Sequence, residues 1–280
     1  MRKMIIPINF SKKSLENVYF GVGLAKDLGY TKVELVNVID VYSYNINADL
    51  TYASANTTAM SGANAQFYQK AVEARKNYVN GIISTFLGKI RMKYDIPVDF
   101  ILEEGIVTDF LIELSQEETS GMMLLNKNDK LQDTSISMIN RIVRKANCPI
   151  MVINEGYNYS SFQNILYATD FREDDLNAIQ LLEEIIKTFD SNLEITHVSD
   201  HVEFEDKLHE AGMAKLMKER TGYRKIDVQV AEKKKNVADT LNGYAVEKKK
   251  DLIVLLRENH GLFKELFGTD HTKQIIKTSG

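Results

Sequence analysis

Residues 3–11, KMIIPINFS, and residues 164–172, NILYATDFR, follow one plan: a short apolar run, a small polar residue, then phenylalanine, with Phe10 answering Phe171. A second pair, VELVNVID from Val33 and LEITHVSD from Leu193, sets Asp40 against Asp200 at almost the same separation. The chain therefore reads as two copies of one unit. Further on, MMLL at Met122 to Leu125 answers IVLL at Ile253 to Leu256 across a shorter interval, so the first copy holds an extra segment. Residues 41–66, VYSYNINADLTYASANTTAMSGANAQ, supply it. They are rich in Asn, Ala, Ser and Thr with little apolar periodicity, and a segment this long is expected to be a mobile insertion or lid. The polar connector NEGYNYSSFQN from Asn154 sets a boundary near residue 158, giving domains 1–157 and 158–280.

Within each copy the periodicity alternates. Leu15, Val18, Tyr19, Val22, Ala25 and Leu28 recur at helical steps, with Ser11 placed as an N-cap and Gly29 as a stop. Leu176, Ile179, Leu182, Ile185 and Ile186 repeat the pattern in the second copy. VELVNVI, VDFIL, MMLL and PIMVI are short apolar runs of the kind that form strands covered on both faces. Strands separated by helices imply right-handed crossovers and a parallel sheet. The fold class is α/β: two tandem doubly wound parallel-sheet domains, Rossmann-like, with ligands expected beyond the carboxyl ends of the strands.

Composition narrows the function. The 280 residues are 44% hydrophobic and 26% charged, a mixture able to bury real cores. With 35 basic against 39 acidic side chains, the net charge of −4 lacks the footprint of general nucleic-acid binding. No run approaches the ~20 apolar residues of a membrane helix. The apolar stretch near the start is too brief for a signal peptide. One cysteine, Cys148, excludes an internal disulfide and suits a reducing compartment. A cytoplasmic protein with neither nucleic-acid nor membrane partner is expected.

The strand-end residues carry a resemblance. Pro7 to Ser11, Thr169 to Phe171, Ile195 to Asp200 and Cys148 to Ile153 resemble, in order and spacing, two copies of the universal stress protein family, whose fold is also that of the adenine nucleotide alpha hydrolases. The resemblance implies a stress-response or signalling role and divides members by whether they bind ATP. ATP-binding members carry G-x2-G-x9-G-[ST] after the fourth strand, where glycines let backbone N–H groups approach phosphate. In the second copy those positions fall on Leu255, Glu258, Gly268 and Thr269, so only the final Gly-Thr survives. In the first copy they fall on Met122, Leu125, Ser135 and Ile136, and the family's nucleoside-contacting acid is replaced by Asn9. The first copy is therefore expected not to bind ATP in the family's manner. In the second copy, Asp170, the backbone at Val198, Gly268 and Thr269 match the family's nucleotide contacts. Glu258 there opposes them, since two like charges ~5 Å apart at an effective dielectric of ~20 repel by about 3 kcal/mol.

Other chemistries find less support. His197, Asp200 and His201 offer three metal ligands at loose spacing, and His197 reads more simply as a strand-end residue bonded to backbone. Nothing near Cys148 in sequence lowers its pKa, so it reads as a packing residue. No Gly-x-Ser-x-Gly elbow, Walker loop or G-x-G-x-x-G turn occurs. Lys233 to Lys235 and Lys248 to Lys250 are flanked by acids and read as solvated. Met122, Met123, Met138 and Met151 read as core.

Setting IIKTSG from Ile275 against IVRKAN from Ile142, the second copy is expected to lack its last strand. Residues 149–153 are then expected to pair with another chain or be covered locally. The resemblance implies a homo-oligomer or an intramolecular pseudo-dimer, with a protein partner of unknown identity. The expected function is a non-catalytic stress-response module without cofactor. The alternative is ATP binding by the second domain alone.

Overall fold

The computed structural model describes residues 2–40, 61–126, 136–153 and 161–256. The chain divides into two compact units, Met1–Gly156 and Tyr157–Gly280. Each is built the same way.

The first unit runs β1 (Lys3–Pro7), α1 (Lys12–Asp27), β2 (Lys32–Asp40), α2 (Ser61–Lys93), β3 (Val98–Gly105), α3 (Val107–Ser115), β4 (Ser120–Asn126), α4 (Ile136–Lys145) and β5 (Ile150–Ile153). Its sheet is parallel in the order β3-β2-β1-β4-β5. The second unit runs β6 (Asn164–Ala168), α5 (Glu173–Phe189), β7 (Asn192–Ser199), α6 (Phe204–Thr221), β8 (Ile226–Glu232), α7 (Val237–Glu247) and β9 (Leu252–Leu255). Among the described residues its parallel sheet has the order β8-β7-β6-β9. In both, the chain steps outward for three strands and then returns to the other side of the first. The switch point therefore lies between β1 and β4, and between β6 and β9.

The sequence of α1 specifies its ends. Ser11 is the N-cap, and its hydroxyl accepts from Ser14 N–H at 3.1 Å. At the other end Gly29, at φ +67°, closes the helix while Tyr30 N–H reaches back to Ala25. Midway, Gly21 brings α1 so near the sheet that a methyl group there would overlap Ile6 and Leu124. On the opposite face Ile5, Val36, Met123 and Leu125 meet Leu111 of α3 and Ile139 and Ile142 of α4 in one apolar cluster. Met122, Met123, Met138 and Met151 are all buried, as core methionines should be. Cys148 is buried beside them, and its thiol is pushed up to about 11 by burial, which keeps it protonated. In the second unit Leu166 and Ala168 of β6 pack against Ala238, Leu241 and Ala245 of α7.

Two expectations need correction. Residues 61–66, read as part of the insertion, belong to α2, a helix of 33 residues and so ~50 Å long. Val72, Val79, Ile83, Phe86 and Ile90 are buried along it, whereas the sequence of residues 61–66 carries little apolar periodicity. The rest of the insertion, residues 41–60, lies outside the described residues. Lys250, read as solvated, is instead half-buried, with its side chain only 6% exposed, and pairs with Glu194 at 2.5 Å.

That pair has a counterpart. Lys3 bonds Glu34 at 2.7 Å with both side chains buried, and Glu34 aligns with Glu194 in the repeat. Burial opposes ionisation of Glu34, but the hydrogen bonds from Lys3 and Lys32 outweigh it and hold the carboxyl below the usual range. A depressed carboxyl stabilises the fold fully above its unfolded pKa of ~4.3 and loses that contribution as pH falls through the lower, folded value. Thermal midpoints between pH 7 and pH 3 are expected to stay level to about pH 5 and then fall. Glu34→Gln is expected to lose stability at neutral pH and to show a shallower acid decline.

Candidate functional site

In each unit the turn after the first strand carries a phenylalanine held in the left-handed region, Phe10 at φ 64° and Phe171 at φ 57°. For a bulky side chain this is an outlier that costs ~1–3 kcal/mol and persists only where surrounding bonds fix it. Both units supply such bonds.

In the first unit Ile8 N–H donates to Val36 O at 2.8 Å, and the side-chain amide of Asn37 donates to Ile8 O at 2.6 Å. Asn9 Oδ1 accepts from Ser11 N–H at 2.9 Å, while Asn9 N–H donates to Ser14 Oγ at 3.0 Å. The Phe10 ring meets Phe100 of β3 edge-on at 5.9 Å.

In the second unit Thr169 N–H donates to Thr196 O at 3.1 Å, and His197 Nδ1 lies 2.8 Å from Thr169 O. A carbonyl only accepts, so Nδ1 carries the proton. Asn37 and His197 occupy aligned positions and make the same clasp, strand-end side chain to the carbonyl of the residue two before the phenylalanine. This role, strand-end support of the backbone, is the simpler of the two readings made for His197. Asp175, buried in the first turn of α5, gathers Tyr167 OH at 2.7 Å, Thr169 Oγ1 at 2.6 Å and Arg172 N–H at 2.9 Å. The Phe171 ring lies 4.8 Å from the His197 ring and 5.6 Å from that of His209.

Of the nucleotide contacts anticipated from sequence, the structure places two. Asp170 stands half-buried directly beyond β6, and its carboxylate has no hydrogen-bond partner among the described residues. Val198 lies near the end of the neighbouring strand β7. Thr196 O faces β6, so strand alternation turns the backbone of Val198 the same way. The parallel pairing of β6 with β7 thus brings Asp170 and Val198 to one end of the sheet. Gly268, Thr269 and Glu258 lie outside the described residues.

The three candidate metal ligands of the β7 end go separate ways. His197 bonds Thr169 O, Asp200 pairs with Lys233, and His201 lies 3.7 Å from Glu232 on the surface. Lys233 holds the Asp200 carboxyl below the usual range. Among the described residues no group of three or more His, Cys, Asp or Glu is placed to hold a metal ion. None of their helices is long and apolar enough to cross a membrane.

Sequence reasoning set Asn37 against His197 at the strand ends but missed the clasp they share, and it missed the Asp175 hub. The first was accessible, since the two residues align in the repeat. The second had only one weak sign, an acid at the third helical position.

Comparison with known proteins follows from this geometry. Residues 161–280 match the family model of the universal stress protein family. The second unit is a universal stress protein domain. Across the whole chain, the crystal structure of a universal stress protein from Archaeoglobus fulgidus DSM 4304 is similar at 17% identity and a TM-score of 0.64, covering 98% of this chain and 92% of that one. A putative universal stress protein from Pseudomonas aeruginosa UCBPP-PA14 follows at 13% identity and a TM-score of 0.55, covering 99% and 90%. The cytoplasmic domain of a prokaryotic cation chloride cotransporter gives 10% and 0.55, covering 100% and 92%. At these identities the likeness speaks for the fold, a tandem universal stress protein architecture, and the transporter domain shows that one fold serves more than one function. No curated protein sequence matches.

Proposed function

We propose that this tandem universal stress protein is a non-catalytic, cytoplasmic stress-response or signalling module whose phosphate loops have lost their grip on ATP. It works as a homo-oligomer or as a pseudo-dimer of its own two halves. One observation carries this reading. The polar side chains at the carboxyl ends of both sheets, Asn9, Asn37, Thr169 and His197, are bonded to the backbone or helix of their own turns rather than presented to a ligand. No nucleophile and base meet there among the described residues. The missing glycines of both loops agree with it.

The second reading, ATP bound by the second domain alone, draws on Asp170, whose carboxylate is uncommitted. Titration with a fluorescent ATP analogue, alongside a phosphate-release assay, separates the two. No saturable binding at micromolar concentrations and no phosphate release are expected. Saturable micromolar binding that is lost in Gly268→Val or Asp170→Asn overturns the first reading in favour of the second.

A further inference from the structure

The N-terminal turn of α6 exposes apolar side chains that a soluble surface rarely leaves together. Phe204 is 76% exposed, Leu208 55% and Val202 40%. Phe204 and Leu208 stand one turn apart and so share a helix face, while Met213 and Met217 bury a different one. Phe204 is the most exposed aromatic among the described residues, and such a patch marks a contact surface.

The rim says what kind of contact. The crossovers β6–α5–β7 and β7–α6–β8 step the same way along the sheet, so right-handedness puts α5 and α6 on one face with both N-termini at the carboxyl edge. Glu173 and Asp174 open α5 and are exposed; Glu203 and Glu205 flank Phe204 and are exposed. Arg172 and Lys207 are the nearby cations, and Lys207 is held by Glu210 at 2.7 Å. Lys233 is likewise engaged by Asp200. A second copy of the same surface would bring acid against acid, and an anionic membrane would be repelled.

We propose that the Val202–Phe204–Leu208 patch docks a basic segment of a partner protein, whose apolar side chains seat on Phe204 and Leu208 and whose lysines or arginines meet Glu173, Asp174, Glu203 and Glu205. The surface works whether or not the domain holds ATP.

The test uses the full chain and a synthetic amphipathic leucine–lysine peptide, followed by fluorescence anisotropy at two salt concentrations, with a leucine–glutamate peptide of the same pattern as comparison. Saturable micromolar binding of the basic peptide is expected, weakening with salt. Phe204→Glu and Leu208→Glu should each lower affinity about tenfold or more, and Glu203→Lys with Glu205→Lys severalfold. Val246→Glu, which alters an exposed apolar residue on α7, should change nothing. Leu208→Gln serves if a glutamate variant fails to keep its thermal midpoint. The proposal is overturned if the acidic peptide binds equally, if Phe204→Glu and Leu208→Gln bind like the parent, or if the parent does not bind. It is also overturned if sedimentation shows a dimer that Phe204→Glu dissolves, because the occupant is then a second copy.

Discussion

Glu194→Ala is expected to destabilise the second unit by about 3–5 kcal/mol, because it leaves the buried Lys250 ammonium without its carboxylate. Glu194 also accepts from Tyr244 and Gln229, so one truncation strands three donors beneath α7. Urea unfolding should show a lower midpoint with an unchanged slope. Replacing both Glu194 and Lys250 by methionine should recover much of the loss, since the isolated charge, not the absent pair, carries the cost. Tyr244 supplies a second readout: burial, and then its bond to Glu194, pushes its hydroxyl up to about 12. A phenol raised in the fold contributes stability below its unfolded pKa of ~10 and loses it as the pH climbs toward the folded value. The parent should therefore weaken between about pH 10 and 12, and Glu194→Ala less so.

Asp175→Ala carries the second large effect. It removes the acceptor of two buried hydroxyls, Tyr167 and Thr169, and of Arg172 N–H. At ~1–3 kcal/mol for each stranded buried group, a loss of about 3–5 kcal/mol is expected. The loss should be local in character. Amide exchange at Phe171, whose N–H donates to Thr169 Oγ1, should accelerate before exchange in β7, since the strained turn depends on that hydroxyl staying in place. Asp175→Asn, which keeps one acceptor oxygen and presents an amide N–H that the Tyr167 hydroxyl can accept in place of the other, should cost less. If Asp175→Ala unfolds with the parent's midpoint and protects Phe171 equally, the hub described above has no energetic role.

The repeat made most of this fold legible. Short apolar runs gave β1, β2, β3, β4 and β5, and the bracketing of α1 by Ser11 and Gly29 is realised in its caps. What escaped were features with no local pattern. The start of α2, SGANAQ, carries no apolar periodicity to announce it. Burial of Lys250 depends on Glu194, which is distant in sequence, and nothing in a run of three lysines marks the one that turns inward. At the site, Asp170 and Val198 could be paired from alignment alone because parallel neighbours must end together. The Asp175 hub depends on how a helix start folds back on its strand, which spacing does not encode.

The two aligned acids, Glu34 buried and Glu194 partly so, hold a further consequence. Glu34 draws its lysine from β1, whereas Glu194 draws its own from the residue run leading into β9. Asn164 stands in the second copy where Lys3 stands in the first, and Lys250 has no lysine answering it before β4. The halves share a blueprint but not spare parts: a hybrid carrying the β6 segment in place of β1 would leave Glu34 without Lys3, while the reverse transplant would crowd two ammonium groups upon Glu194. The two copies keep one outline here, while the wiring inside each is tied to its own residues and cannot be exchanged.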